Sequence, residues 1–367
     1  MRVKNIQIIN FRNLKSTKII PGVNFNLFYG LNGHGKTNIL EAIFLLGSPK
    51  SFRNAKQQEL VMHDEKRAVV KGEIESQRVT SKITLTLEQA GRRVEIDGKM
   101  VGRASELHGK LNSVVFSPYD TGMVRNSPDS RRRYLDRAVY MADIRYLNCW
   151  HNYHRILKQR NHLLKKSETS SLDTWTDRLA TAGAEVMERR LSFVSNLDKR
   201  LKNHYSVISD EDKAAEIAYQ PEGIKKTMGH EIKEEFIELL DRNRKNDEKF
   251  GSTSIGPHRD DVFFLLDGRP LKTFGSQGEQ KSFVLALKMA ELEYLEDIFG
   301  ETPLFLLDDM SSELDTARIC NLFAALSAKN MQVFITATEK RAEFADSVHL
   351  NYSVFRICDG NPTYEEN

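Results

Sequence analysis

The sequence predicts an α/β fold: mixed sheets around a phosphate-loop helix, a compact helical lobe, and no long coiled coil. Three observations carry this. Gly30-Leu31-Asn32-Gly33-His34-Gly35-Lys36-Thr37 spells a complete G-x-x-x-x-G-K-[ST] loop. Leu304-Phe305-Leu306-Leu307-Asp308-Asp309 is an apolar run closed by two carboxylates, the pattern of a buried parallel strand with a Walker B ending. Between them the pattern turns helical near residue 127 and stays so to about 245, which leaves room for a lobe but not for long heptads.

The chain opens with Arg2, Lys4, Arg12, Lys15 and Lys18 and no acid in its first twenty residues. Ile6-Gln7-Ile8-Ile9-Asn10-Phe11-Arg12-Asn13-Leu14 alternates like a strand running into a polar turn. On charge alone this is as much a solvated sheet edge as an anion-binding surface. Val23-Asn24-Phe25-Asn26-Leu27-Phe28-Tyr29 then leads, as a strand, into the glycine loop. Asn38-Ile39-Leu40-Glu41-Ala42-Ile43-Phe44-Leu45-Leu46 leaves it as a helix stopped by Gly47. That context turns the backbone N–H groups of Gly30, Asn32, Gly33, Gly35 and Asn38 and the positive end of the helix toward a phosphate. Lys36 should reach the β- and γ-phosphates of ATP, and Thr37 should hold Mg²⁺. An ordinary glycine turn would need neither residue. Residues 48–120 read as β-rich, with hairpin turns at Ala90-Gly91-Arg92 and Asp97-Gly98. Val114-Val115-Phe116 is a short buried strand followed by Ser117-Pro118-Tyr119-Asp120.

Ser127-Pro128-Asp129-Ser130 has the N-cap, first-position proline and first-turn acid of a helix start. Arg155, Lys158, Arg160, Lys165 and Lys166 line one helix whose apolar face is Ile156, Leu163 and Leu164. Alone, such a helix reads as a solvated face. Residues 167–171, 209–212 and 243–247 are expected to be turns or exposed loops. Gly256-Pro257-His258-Arg259 is expected to turn into the strand Val262-Phe263-Phe264-Leu265-Leu266, with His258 structural.

Phe274-Gly275-Ser276-Gln277-Gly278-Glu279-Gln280-Lys281-Ser282 opens another helix. It resembles the signature motif of ABC-type ATPases, with Gln277 where a second glycine is usual. Ser311-Ser312-Glu313-Leu314-Asp315, after the Walker B run, resembles the D-loop of the same superfamily. Asp308 should hold Mg²⁺ through water, and Asp309 should polarise the attacking water. Met331-Gln332-Val333-Phe334-Ile335-Thr336-Ala337-Thr338 is a core strand ending where many ABC heads place a γ-phosphate-contacting histidine; here Thr338 stands there. No glutamine follows Val114-Val115-Phe116, where such heads carry a γ-phosphate sensor. The expected division is 1–120 and 283–367 for the ATPase lobe, and 121–282 for a helical lobe ending in the signature.

The Asn10-Phe11-Arg12-Asn13 turn, the loop from Gly30 through Asn38, Phe116-Ser117-Pro118-Tyr119-Asp120, Arg131-Arg132-Arg133-Tyr134-Leu135-Asp136, Leu157-Lys158-Gln159-Arg160-Asn161 and Gly256-Pro257-His258-Arg259-Asp260-Asp261 together resemble the RecF family. This is the branch of the SMC-like ABC ATPases that is essentially all head, and the likeness runs from residue 1 to about 340. The resemblance implies a weak, DNA-linked ATPase with Asp309 and Lys36 catalytic. It implies that two copies face each other head to tail, so that Ser276 and Gly278 meet the γ-phosphate of the neighbour's ATP. It also implies DNA, duplex or at single-strand/duplex junctions, as partner, with RecR, and with RecO and RecA, in the repair of single-strand gaps. Lys4, Arg12, Lys15 and Lys158 are the expected DNA contacts. Two other readings share the nucleotide motifs: the ATPase subunit of a membrane transporter, and a P-loop phosphotransferase, which would use no signature. Composition fits a cytoplasmic protein: 40% hydrophobic, net charge +3, scattered Cys149, Cys320 and Cys358, and no apolar run long enough for a membrane span or a leader.

Overall fold

The computed structural model describes residues 1–89, 91–168, 170–310, 314–340 and 352–365, the side chains of 104 and 105 excepted. They divide into two compact units. The first comprises Met1–Thr121, Asn203–Asp212 and Ser276–Asn367; the second comprises Gly122–Lys202 and Lys213–Gly275.

The first unit holds two six-stranded sheets. One is antiparallel, in the order Leu14–Ile19, Arg2–Phe11, Arg67–Ser76, Val79–Glu88, Gly91–Ile96, Lys99–Met100. Its residues alternate as a half-buried sheet must: Ala68, Val70 and Ile74 face inward, as do Ile83, Leu85 and Leu87 across from them. Asp97 and Gly98 both take positive φ, which closes the expected hairpin turn there. Ala90, part of the other expected turn, lies outside the described residues; Gly91 pairs with Glu88 just past it.

The second sheet runs Asn361–Glu365, Tyr352–Cys358, Phe25–Tyr29, Val333–Ala337, Leu304–Leu307, Ser113–Phe116. The outer pair is antiparallel and every other pairing is parallel. Strands buried on both faces explain the fully buried runs Leu304–Leu307 and Val333–Ala337, apolar but for Thr336. The helix Lys36–Leu45 is buried along most of its length between the sheets, in a core that includes Ile39, Ile43, Phe44, Val70 and Phe334.

The second unit is helical, with Pro128–Ala142, Ile144–Lys166, most of Leu172–Ser209, and Gly229–Phe250. Pro128 starts its helix at the first position and Ser127 stands before it in extended conformation, as expected. Two expectations are corrected. The stretch 215–220 is the strand Ala215–Gln220, paired antiparallel with Asp261–Leu266, and interrupts the helical pattern. Its cue was alternation: Ala215, Ile217 and Tyr219 are buried. Residues 243–247 are not a loop but the last turns of Gly229–Phe250. The pairs Glu238–Arg242 and Arg244–Glu248 reinforce that helix, and Asp247 is fully buried on it.

Buried charge in this unit is densely satisfied. Arg190 donates to Tyr146 Oη, Pro257 O and Asp136 at 2.9, 2.7 and 2.6 Å. Arg160 donates to Thr176, Asp247 and Thr253 at 3.1, 2.8 and 2.7 Å. His258 lies between Tyr153 Oη (2.7 Å) and Thr253 O (3.1 Å). The carbonyl can only accept, so Nε2 carries the proton and Nδ1 accepts from the tyrosine. Burial holds this imidazole down at about 4, against the bond to Thr253 O.

Candidate nucleotide-binding site

The glycine loop leaves the C-terminal end of Phe25–Tyr29 and enters Lys36–Leu45. Gly30, Gly33 and Gly35 take φ of 146°, 84° and 100°, values that β-carbon-bearing residues avoid. At Gly35 a Cβ would also stand 2.8 Å from Leu14 Cδ2 and 2.9 Å from Asn13 Oδ1. The loop is braced from outside. Asn13 Nδ2 donates to Gly33 O at 2.9 Å, and Asn38 Nδ2 donates to Asn13 Oδ1 at 2.7 Å. Arg53 Nη1 donates to Asn38 Oδ1 at 3.0 Å. Across the loop, Asp359 N donates to His34 Nδ1 and Gly360 N to His34 O, both at 3.0 Å.

Lys36 bends back so that Nζ donates to Gly30 O and Leu31 O at 2.6 and 2.9 Å. Burial lowers its pKa, opposed by Asp309 and Asp308. Thr37 Oγ1 donates to Asp308 Oδ1 at 2.7 Å, and Thr336 Oγ1 donates to the same oxygen at 2.8 Å. Burial raises the Asp308 pKa; the two hydroxyls oppose it. Asp309 follows with φ of 53°, and its N–H donates to Thr336 Oγ1 at 2.8 Å. Thr336 thus ties both acids together. Sequence reasoning missed it because 27 or more residues separate it from them; its only cue was a hydroxyl amid the apolar run Val333–Ala337.

Ser276 is exposed and caps the helix Gln277–Phe299: its Oγ accepts from Glu279 N at 3.2 Å, and Glu279 Oε2 accepts from Ser276 N at 2.7 Å. A Cβ on Gly278 would stand 3.2 Å from Arg318 Nη2, so this glycine makes room for the arginine. Thr338 lies just past Val333–Ala337, half-buried. Of the expected D-loop, Ser311, Ser312 and Glu313 lie outside the described residues. Where a sensing glutamine was sought, Asp120 is buried instead, accepting from Ser117 Oγ at 2.7 Å and pairing with buried Lys288 at 3.2 Å.

The basic residues expected at DNA are placed unequally. Arg12 lies in a bidentate pair with Glu41, at 3.0 and 2.9 Å. Glu41 is fully buried and also accepts from Ser51. That binds Arg12 into the first unit's core and leaves Lys4, Lys15 and Lys158 as the exposed members of the set. Lys4 is shared with Glu75 at 3.5 Å. Arg160, read from sequence with the basic face, points inward. Its register gives this away, since 160 falls four residues after buried Ile156 and four before buried Leu164.

A family model described as RecF/RecN/SMC N terminal domain matches residues 2–359. The DNA replication and repair protein RecF of Trichlorobacter lovleyi is 44% identical over 367 residues, 100% of this chain and 99% of its own. A solved structure of the recombination mediator protein RecF with ATP, from the RecFOR pathway, superposes with a TM-score of 0.88 at 33% identity, covering 99% of each chain. The Smc head domain of Pyrococcus furiosus, solved with the C-terminal domain of ScpA, reaches a TM-score of 0.55 at 14% identity over 99% of this chain and 95% of that one. This likeness shows the ABC-type head fold. The transporter-subunit reading is not favoured. Among the described residues no helix is long and apolar enough to cross a membrane.

Proposed function

The chain belongs to the RecF family, within the RecF/RecN/SMC ATPases, and from that premise we propose that it is an ATP-dependent DNA clamp of recombinational repair. The observation that carries the reading is the meeting of Thr37 and Asp308 beneath the glycine loop. A hydroxyl and a carboxylate 2.7 Å apart are hard oxygen donors, of the kind Mg²⁺ takes from protein when phosphates supply the rest. Thr37 and Asp308 would hold the ion, and its chemistry there is to neutralise phosphate charge.

The protein's own steps follow from the geometry. Lys36 exchanges Gly30 O and Leu31 O for phosphate oxygens, where a lysine acts as a point charge. Asp309, held in its unusual backbone conformation by Thr336, polarises the attacking water; a strained acid beside a phosphate site is where such strain is kept. Ser276 and Gly278 lie at the opening of an exposed helix N-terminus, and in this reading they meet the γ-phosphate on a second copy, with Thr338 contacting the γ-phosphate from its own side. ATP then joins two heads, and slow hydrolysis parts them. The joined state binds duplex DNA or single-strand/duplex junctions through backbone phosphates, with Lys4, Lys15 and Lys158 as contacts. It acts in the cytoplasm with RecR and RecO to help load RecA.

The test is light scattering with and without ATP and duplex DNA. The wild type should dimerise with ATP. Lys36→Ala should neither bind ATP nor dimerise, Ser276→Arg should bind ATP as a monomer, and Asp309→Asn should remain a trapped dimer. A Ser276→Arg protein that still dimerises with ATP rules out the two-headed clamp.

A further inference from the structure

The helix Ile144–Lys166 carries six Lys and Arg residues and no acid along its 23 residues. Arg160 is turned inward onto Asp247. Of the others, Arg155, Lys158, Lys165 and Lys166 fall with His151 and His162 within about 100° around the axis, along about 22 Å. All six side chains are exposed. Little acid faces them. Lys166 meets Glu168 at 3.9 Å, while Arg155 bonds the neutral Asn152 at 3.0 Å. The helix Gly229–Phe250, in the same unit, is wetted differently, with Glu238–Arg242 and Arg244–Glu248 pairs that cancel its charge. The basic track lacks the mixed-sign pairing common on solvated helix faces.

At one end the track meets an aromatic ring. Gly251 closes Gly229–Phe250 against the end of the basic helix: a Cβ there would stand 3.0 Å from Lys165 Cγ. Phe250, immediately before it, is 71% exposed, with Lys249 Nζ 5.5 Å from its ring centroid. Lys249 lies over the ring on one side; a ring this exposed contributes little to packing and offers its remaining face to a base.

We propose that this face is a track for single-stranded DNA: the cations take successive phosphates, and Phe250 stacks an unpaired base at the Lys165 end. A strand stacked as in a duplex advances about 3.4 Å per nucleotide, which sets an upper limit of roughly six nucleotides along the track. Cationic grooves with open aromatics bind single strands regardless of sequence. The inference rests on the DNA-clamp reading and adds to it the feature that distinguishes a gap from an intact duplex.

The test is fluorescence anisotropy of the full chain with ATP, on a blunt duplex, a single strand and a single-strand-tailed duplex, across a salt series. Phe250→Ala should leave blunt-duplex affinity unchanged and weaken the single-stranded and tailed probes about 5- to 150-fold, the range of one stacked base. Phe250→Trp should restore them. Arg155→Glu with Lys158→Glu should flatten the single-strand salt slope by about 1.4. Tailed-probe binding by Phe250→Ala equal to wild type, or an equal loss on all three probes, overturns the track. A wild type that binds none of the probes overturns the DNA clamp itself.

Discussion

The helical unit and the nucleotide site both bury charge, but in opposite ways. In the helical unit, Arg190 and Arg160 are each matched to a carboxylate and ringed by hydroxyls and carbonyls. Such groups cannot change partners without breaking the packing. In the nucleotide site, Lys36 is parked on two neutral carbonyls and Asp308 on two hydroxyls. The charges of Asp309 and Asp308 oppose the desolvation of Lys36. A satisfied buried charge holds a fold, whereas one on provisional partners is ready for a ligand.

The sharpest way to break this contrast is to remove one cation from each unit. Arg190→Met leaves Asp136 without its guanidinium and should cost about 3–5 kcal/mol in urea unfolding. Lys36→Met should instead keep or raise the melting temperature while nucleotide titration shows ATP binding lost. Equal destabilisation by both would erase the distinction.

The next effect is pH-dependent. His258 is neutral in the fold, with its pKa depressed to about 4. Between about 6.5 and 4 the unfolded chain binds the extra proton, so stability falls as pH drops through that window. The loss should be about 2 kcal/mol at pH 5 relative to pH 7. His258→Gln, which cannot titrate, should flatten that part of the urea-melt profile.

Asp308 has the reverse sign. Its pKa is raised by burial, so above the ordinary carboxylate range its charge opposes folding, and acidification relieves it. Asp308→Asn should therefore melt slightly higher than wild type while Mg²⁺-dependent ATP binding weakens. A lower melting temperature would mean that Asp308 is a structural anion like Asp247. The smallest effect is expected for Thr336→Val, about 1 kcal/mol of stability, with a fall in kcat rather than in ATP affinity. That split follows if Thr336 only orients the two acids.

The sequence shows the nucleotide site where chemistry is local. The loop from Gly30 to Thr37, the pair Asp308-Asp309 and the Ser276 cap are each written in consecutive residues, because turn geometry and strand ends demand them. What joins them is not local. Asn13, Asn38 and Arg53 meet only after two sheets and a helix are in place, and Arg12 reveals its hold on Glu41 only then. The strand Ala215–Gln220 was hidden by a helical neighbourhood, and the end of Gly229–Phe250 by its many polar residues. In both cases a tertiary partner outweighed composition.

The strand Phe25–Tyr29, which launches the nucleotide loop, pairs on one side with Val333–Ala337 and on the other with Tyr352–Cys358. Both neighbours are more than 300 residues downstream. The antiparallel sheet of the same unit draws all its strands from the first 100 residues and needs no such wait. At about 5–20 residues per second, a ribosome delivers those partners on the order of 15–60 s after the loop itself. For that interval the emerging chain carries the residues of an ATP site without the β-pairing that shapes it. Closing so distant a contact is slow by topology alone. Nascent chains should therefore gain nucleotide-dependent protease resistance late in synthesis, after the first sheet has become resistant.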